Sequence, residues 1–96
     1  MMTFIARMKV KEGKEAEFEA LAKELTEKVR ANEPDTVGYE FFRLPETERG
    51  YAVFESFTSE EAEEAHRNTP HFAELAPPLV ECLDGTYVRE FLDHLD

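Results

Sequence analysis

From Met2 to Val10 the side chains alternate in character. Met2, Phe4, Ala6 and Met8 fall on one side, with Thr3, Ile5, Arg7 and Lys9 on the other. A period of two predicts a strand. After Lys11-Glu12-Gly13-Lys14 the period changes. Phe18, Leu21, Ala22, Leu25 and Val29 recur three and four apart, which makes one apolar stripe on a helix over Glu15 to Ala31. Glu12, Glu15 and Glu17 lie near the positive end of that helix, and Lys28 and Arg30 near its negative end. Asn32-Glu33-Pro34-Asp35 stops it.

A second strand follows over Thr36 to Leu44, with Val37, Tyr39 and Phe41 expected on one side and Phe42 and Leu44 on the other. Pro45 to Gly50 is a turn of hairpin length, and Tyr51 to Phe57 is the third strand. Thr58-Ser59-Glu60-Glu61 has the pattern of a capping box. In it the Thr58 hydroxyl takes the Glu61 amide and the Glu61 carboxylate reaches back to Thr58. This predicts a helix to about Arg67. Thr69 as cap and Pro70 at the first helical position restart a short helix, which Pro77-Pro78 is expected to end. Thr86 to Leu92 alternates again as a fourth strand.

The order is βαββαβ with a split second helix, in one domain over residues 1–96. Pairing rules make this an α+β, ferredoxin-like fold. Its four-stranded antiparallel sheet carries the helices on one face. The strands nevertheless have bulky apolar groups on both faces. The fourth, for instance, sets Val88 and Leu92 against Tyr87 and Phe91. A lone subunit would leave several hundred Å² of apolar sheet wet, about the size at which a patch marks an interface. The expectation is a homodimer with two sheets face to face, the last residues, Glu90 to Asp96, reaching the partner.

Composition narrows the picture. A hydrophobic content of 42% with eight Phe supports a packed core. The net charge of −11 disfavours nucleic acid and anionic membrane, both of which need a cationic patch. No apolar run approaches the ~18 residues of a membrane span, and the N-terminus lacks the layout of a secretory signal. The lone Cys82 cannot pair internally, which suits a reducing cytoplasm, and its neighbours Glu81 and Leu83 suit a packed thiol.

Candidate chemistry concentrates in FESFTSEEAEEAHRNTPHF, Phe54 to Phe72. His66 and His71 are five apart, whereas two ligands on one helical face are four apart, so a metal site is not expected. His66 closes the helix that the cap opens. Its imidazole has the pKa for proton transfer near neutrality. A histidine at a helix C-terminus is also favourable through the macrodipole alone, and spacing leaves both roles open. Glu63, one turn earlier, is expected to raise its pKa. His71 falls in the first turn of the next helix, where positive charge is disfavoured. Phosphate-loop and nucleophile-elbow motifs are absent, so any chemistry is expected to be cofactor-free or to use a cofactor bound by shape. Phe4, Tyr39, Phe41, Tyr51, Phe54, Phe57 and Phe72 can wall a pocket for a flat ligand or fill the core.

Nearly the whole chain, Phe4 to about Phe91, resembles the antibiotic biosynthesis monooxygenase family of dimeric α+β barrels. The features occur in order: Val10-Lys11-Glu12-Gly13-Lys14 before a helix with Phe18; Glu33-Pro34 before Gly38-Tyr39-Glu40; Tyr51 through Glu55, then Phe57 and Ser59; Ala65-His66; and Thr69-Pro70-His71-Phe72. The resemblance implies a pocket between sheet and helices, with His66 at the family's helix-end histidine and Phe57 where many members carry Trp. It implies cofactor-independent oxidation of a phenolic or quinol aromatic by dioxygen. His66 would assist deprotonation, Tyr39, Tyr51, Phe57, Phe72 and His71 would line the substrate, and Arg43 and Arg89 would stabilise the anion. Haem-degrading members pair the histidine with a first-strand Asn and a Trp. This chain has Arg7 and Met8 near the first of these places and no Trp, so haem degradation is not implied. Relatives with an isomerase activity, or with none, leave two alternatives: a non-catalytic barrel that binds a small ligand or serves stress tolerance, and an isomerase.

Overall fold

The computed structural model describes residues 1–96. The elements run β1 (Met2–Lys9), α1 (Glu15–Asn32), β2 (Thr36–Leu44), β3 (Gly50–Phe57), α2 (Glu60–Arg67), α3 (Pro70–Glu81) and β4 (Val88–Phe91). The four strands form one sheet in the order β2-β3-β1-β4, and every pairing is antiparallel. This is the expected α+β, ferredoxin-like arrangement, with three helices. No helix is long and apolar enough to cross a membrane.

Register sorts the side chains into two faces, because neighbours across a ladder point the same way. Phe4 pairs with Glu55 and Phe91, Ala6 with Val53 and Arg89, and Met8 with Tyr51. This row meets the helices. On α1 the predicted stripe turns inward, with Phe18, Ala22, Leu25 and Val29 buried. Leu75 and Leu79 of α3, with Cys82 just beyond it, complete a core around Ala6, Val10 and Val53. Cys82 is enclosed there, and burial raises its thiol pKa, so the thiol is held in its unreactive form. The opposite face carries Ile5, Phe42, Phe54 and Val88 among Arg7, Glu40 and Glu90.

Four local expectations differ from the structure. The cap of α2 is Ser59, whose Oγ accepts from the Ala62 N–H at 3.1 Å. Thr58 is tied to the connection between α1 and β2, its N–H donating to Asp35 O, and so it cannot close the predicted box. Thr69 and Pro70 start α3 as expected, but the helix continues through Pro77 and Pro78 to Glu81. The two prolines free the carbonyls of Ala73 and Glu74, four residues earlier, and both of those residues are exposed to water. Leu75, Ala76 and Leu79 stay buried across the prolines, so packing outweighs the lost bonds. Val37 does not share the side of Tyr39. The register shifts between Thr36 and Gly38, which leaves Val37 as a bulge residue, 52% exposed. The ladder of β4 is shorter than the alternation, Val88–Phe91. Beyond it the tail crosses back over β1. Leu92 N–H donates to Thr3 O, and His94 Nε2 lies 3.0 Å from Thr3 Oγ1.

Candidate functional site

His66 sits on the last turn of α2 and turns inward toward the sheet, only 3% exposed. Three aromatic rings pack around it. The ring centroids of Tyr39 and Phe57 are each 5.3 Å away, and that of Phe72 is 5.0 Å away. Each ring comes from a different element: β2, β3 and α3. Glu33, the residue that ends α1, reaches the same point. Its carboxylate accepts from His66 Nδ1 at 2.9 Å, from Thr36 Oγ1 at 2.7 Å and from His71 Nε2. A carboxylate only accepts, so Nδ1 carries the proton and Nε2 keeps its lone pair.

That lone pair faces Glu55. Glu55 Oε1 lies 3.8 Å from His66 Nε2, on a side chain 14% exposed. Burial pushes the Glu55 pKa up to about 8. Arg89 pulls it down, while Glu63 and Glu33 add to the rise. Glu63, buried on α2, is held by the fork of Arg67 at 2.8 and 3.1 Å and lies 3.5 Å from Arg89. Arg89 reaches over from β4, its guanidinium 4.7 Å from the centre of the Phe4 ring.

Burial lowers the His66 pKa below its ordinary value, although Glu33 and, more weakly, Glu63 oppose the shift. The sequence-based expectation was a rise. It failed because it weighed the carboxylates and not the enclosure, and Glu63 spends its charge on Arg67. The imidazole is therefore neutral near pH 7 and able to accept a proton. Tyr39 has its phenol pKa raised by burial and by the nearby Glu55 and Glu33, so it remains un-ionised.

Tyr39, Phe57 and Phe72 gather at His66, and His71 shares the Glu33 carboxylate with it. Tyr51 and Arg43 do not. Tyr51 is four residues along β3 from Glu55, roughly 13 Å at the rise of a strand. There its hydroxyl donates to Glu19, as does Arg43. They line a separate hollow of about 490 Å³ between α1 and β2, floored by Phe18 and Phe41. Glu33 and Glu55 were missed as site residues. The role of Glu33 was hidden because its two histidine partners are 33 and 38 residues away, although Glu33-Pro34 belongs to the family pattern. Glu55 did carry one. In the core-facing row Tyr51, Val53, Glu55, Phe57 it is the only carboxylic residue.

The model of the family described as antibiotic biosynthesis monooxygenase matches residues 1–77. The chain belongs to this family. Among solved structures it is similar to a candidate antibiotic biosynthesis monooxygenase of Caulobacter crescentus CB15. Identity is 33%, with 99% of this chain and 90% of that one covered and a TM-score of 0.92. It is also similar to a conserved protein of Methanosarcina mazei Go1, at 27% identity over 95% of this chain and 89% of that one, TM-score 0.86. Rv0793 of Mycobacterium tuberculosis is 22% identical over 99% of this chain and 95% of that one, TM-score 0.86, and shows likeness of fold alone. No curated protein matches. Membership places His66 and its aromatic ring of neighbours in a monooxygenase-like fold.

Proposed function

We propose that this family member oxidises a phenolic or quinol-like aromatic with dioxygen, without a cofactor, and that His66 is the proton acceptor. The observation that carries this is the state of the imidazole. Glu33 holds Nδ1–H, burial keeps the ring neutral, and Nε2 is left unbonded among Tyr39, Phe57 and Phe72. A phenol resists oxygen until it loses its proton. The phenolate is electron-rich enough to give an electron to dioxygen, after which carbon and oxygen join. For a methylene flanked by two rings, R₂CH₂ and O₂ give R₂CO and H₂O, so atoms and electrons balance with no further reductant. The protein's part is to hold the ring, take the proton and keep water out. Oxygen uptake over a panel of hydroquinones and anthrones tests this. His66→Ala should slow uptake at least about tenfold, and no uptake by the native protein on any member would refute the activity.

We propose further that the working unit is a homodimer built on the open face of the sheet. Phe42 and Val88 are 44% and 74% exposed there, beside the partly exposed Ile5 and Phe54. A second reading, a barrel that binds a small ligand without turnover, draws support from the hollow between α1 and β2, lined by Phe18, Phe41, Arg43 and Tyr51, because His66 borders none of the four principal hollows on the chain. Tight binding of an aromatic with no oxygen uptake would favour that reading.

A further inference from the structure

Three carboxyl groups converge beside His66, and the chain provides hydrogen-bond donors for only two. Glu33 accepts from His66, His71 and Thr36. Glu63 takes the Arg67 fork and lies near Arg89. Glu55 accepts a hydrogen bond from no side chain. His66 Nε2 approaches to 3.8 Å, which is beyond bonding distance, and Arg89 acts on it through charge while lying over Phe4. Its side chain is 14% exposed, and no fully enclosed side-chain oxygen of the chain lacks a partner, so the Glu55 oxygens are open to solvent or to a ligand rather than sealed in the core.

Resting on the reading that the His66 site is where the ligand binds, we propose that Glu55 is the group that touches the ligand. The ligand class is a neutral arene bringing its own O–H donor, and arene carboxylates are rejected. The polarity of the cluster supports this. A ligand hydroxyl donates to one Glu55 oxygen, the protonated other oxygen donates to His66 Nε2, and His66 Nδ1–H donates to Glu33. Every donor in that chain points the same way. When the ligand O–H breaks, an O–H forms on the first Glu55 oxygen as the second passes its proton to Nε2. The products are an oxyanion within the field of Arg89 and an imidazolium against Glu33. One proton has moved and nothing has been oxidised. Burial supports the starting state, because it keeps Glu55 largely protonated at neutrality. The groups that face Glu55 are Tyr39 of β2, Glu33 at the end of α1, His66 and Glu63 of α2, and Arg89 of β4. Glu63 is matched by Arg67 and Arg89, whereas Glu33 meets only two imidazoles and a hydroxyl, and its charge opposes a ligand that arrives with its own carboxylate.

The test is fluorescence-detected binding of 2-naphthol, its methyl ether and 2-naphthoate to the native protein, Glu55→Gln and Glu55→Leu. Native protein should prefer naphthol over the other two by about tenfold, the usual scale for one hydrogen bond to an enclosed acceptor. Glu55→Gln keeps an accepting oxygen and should retain the preference. Glu55→Leu should bind naphthol and its methyl ether equally while unfolding at no lower denaturant concentration than the native protein, whereas a purely structural Glu55 would lose stability. The proposal is overturned if native protein binds no naphthol, binds naphthoate or the ether equally well, or if naphthol is still preferred over the ether in Glu55→Leu. These outcomes separate from the oxygen assay. Naphthol preference without oxygen uptake leaves the Glu55 assignment standing and removes the oxidation. His66-dependent uptake with an unchanged preference in Glu55→Leu does the reverse.

Discussion

At the scale of single residues, enclosure outweighs neighbouring charge at both proton-carrying groups. His66 has its folded pKa below 6.5, so the unfolded chain binds more protons in the window just under that value, and stability rises as pH climbs to 6.5. Glu55 is shifted the other way, from 4.5 to about 8. The folded state holds the extra proton, so stability is fullest below 4.5 and is lost as pH rises through 8. Between pH 6.5 and 8 the Glu55 term stands alone of the two. We predict that the free energy of unfolding falls there by up to about 1 kcal/mol per pH unit, as read by urea unfolding in a pH series. Glu55→Gln, which cannot titrate, should flatten that slope, and an equally steep slope in the variant would contradict the assignment. The sequence made His66 visible through its place at a helix end. It hid the sign of the shift, because burial depends on Phe57, Phe72 and Tyr39 meeting from three separate elements.

At the scale of elements, periodicity carried further than punctuation. The stripe of α1 and the alternation of β1 and β3 translate directly into buried faces, because a repeated pattern averages over local competition. Caps and breaks rest on one or two residues and are decided by what those residues meet. Thr58 is claimed by Asp35, which moves the cap to Ser59. Ser59→Ala should therefore cost about 1 kcal/mol of stability, and Thr58→Ala clearly less, both by chemical denaturation. The reverse order would place the cap at Thr58. Pro77 and Pro78 fail to stop α3 because the carbonyls they orphan face water while Leu75 and Leu79 hold the helix to the core. The Val37 bulge has one local marker, Gly38, since an isolated glycine inside a strand pattern suggests a bulge. It still settles which β2 side chains face the helices, and so puts Tyr39 beside His66.

At the scale of the molecule, the strand order and the helix-covered face were legible because βαββαβ leaves few ways to pair four strands. The uncovered face is where a second copy is expected. We predict a dimer in sedimentation at micromolar concentration, and a shift to the monomer in Phe42→Glu, which sets a charge on the open face. A monomer in the native protein would remove the face-to-face arrangement.

The central claim is that an enclosed, neutral imidazole on the last turn of α2 takes the proton that makes a phenol reactive toward oxygen. It is tested most directly by the pH profile of oxygen uptake on whichever hydroquinone or anthrone the native protein turns over best. The account predicts full kcat/KM at pH 7 and an acid limb that falls only below 6.5, where His66 becomes protonated, and that is missing from the residual rate of His66→Ala. Uptake with no acid limb, or with the same limb in His66→Ala, would contradict it.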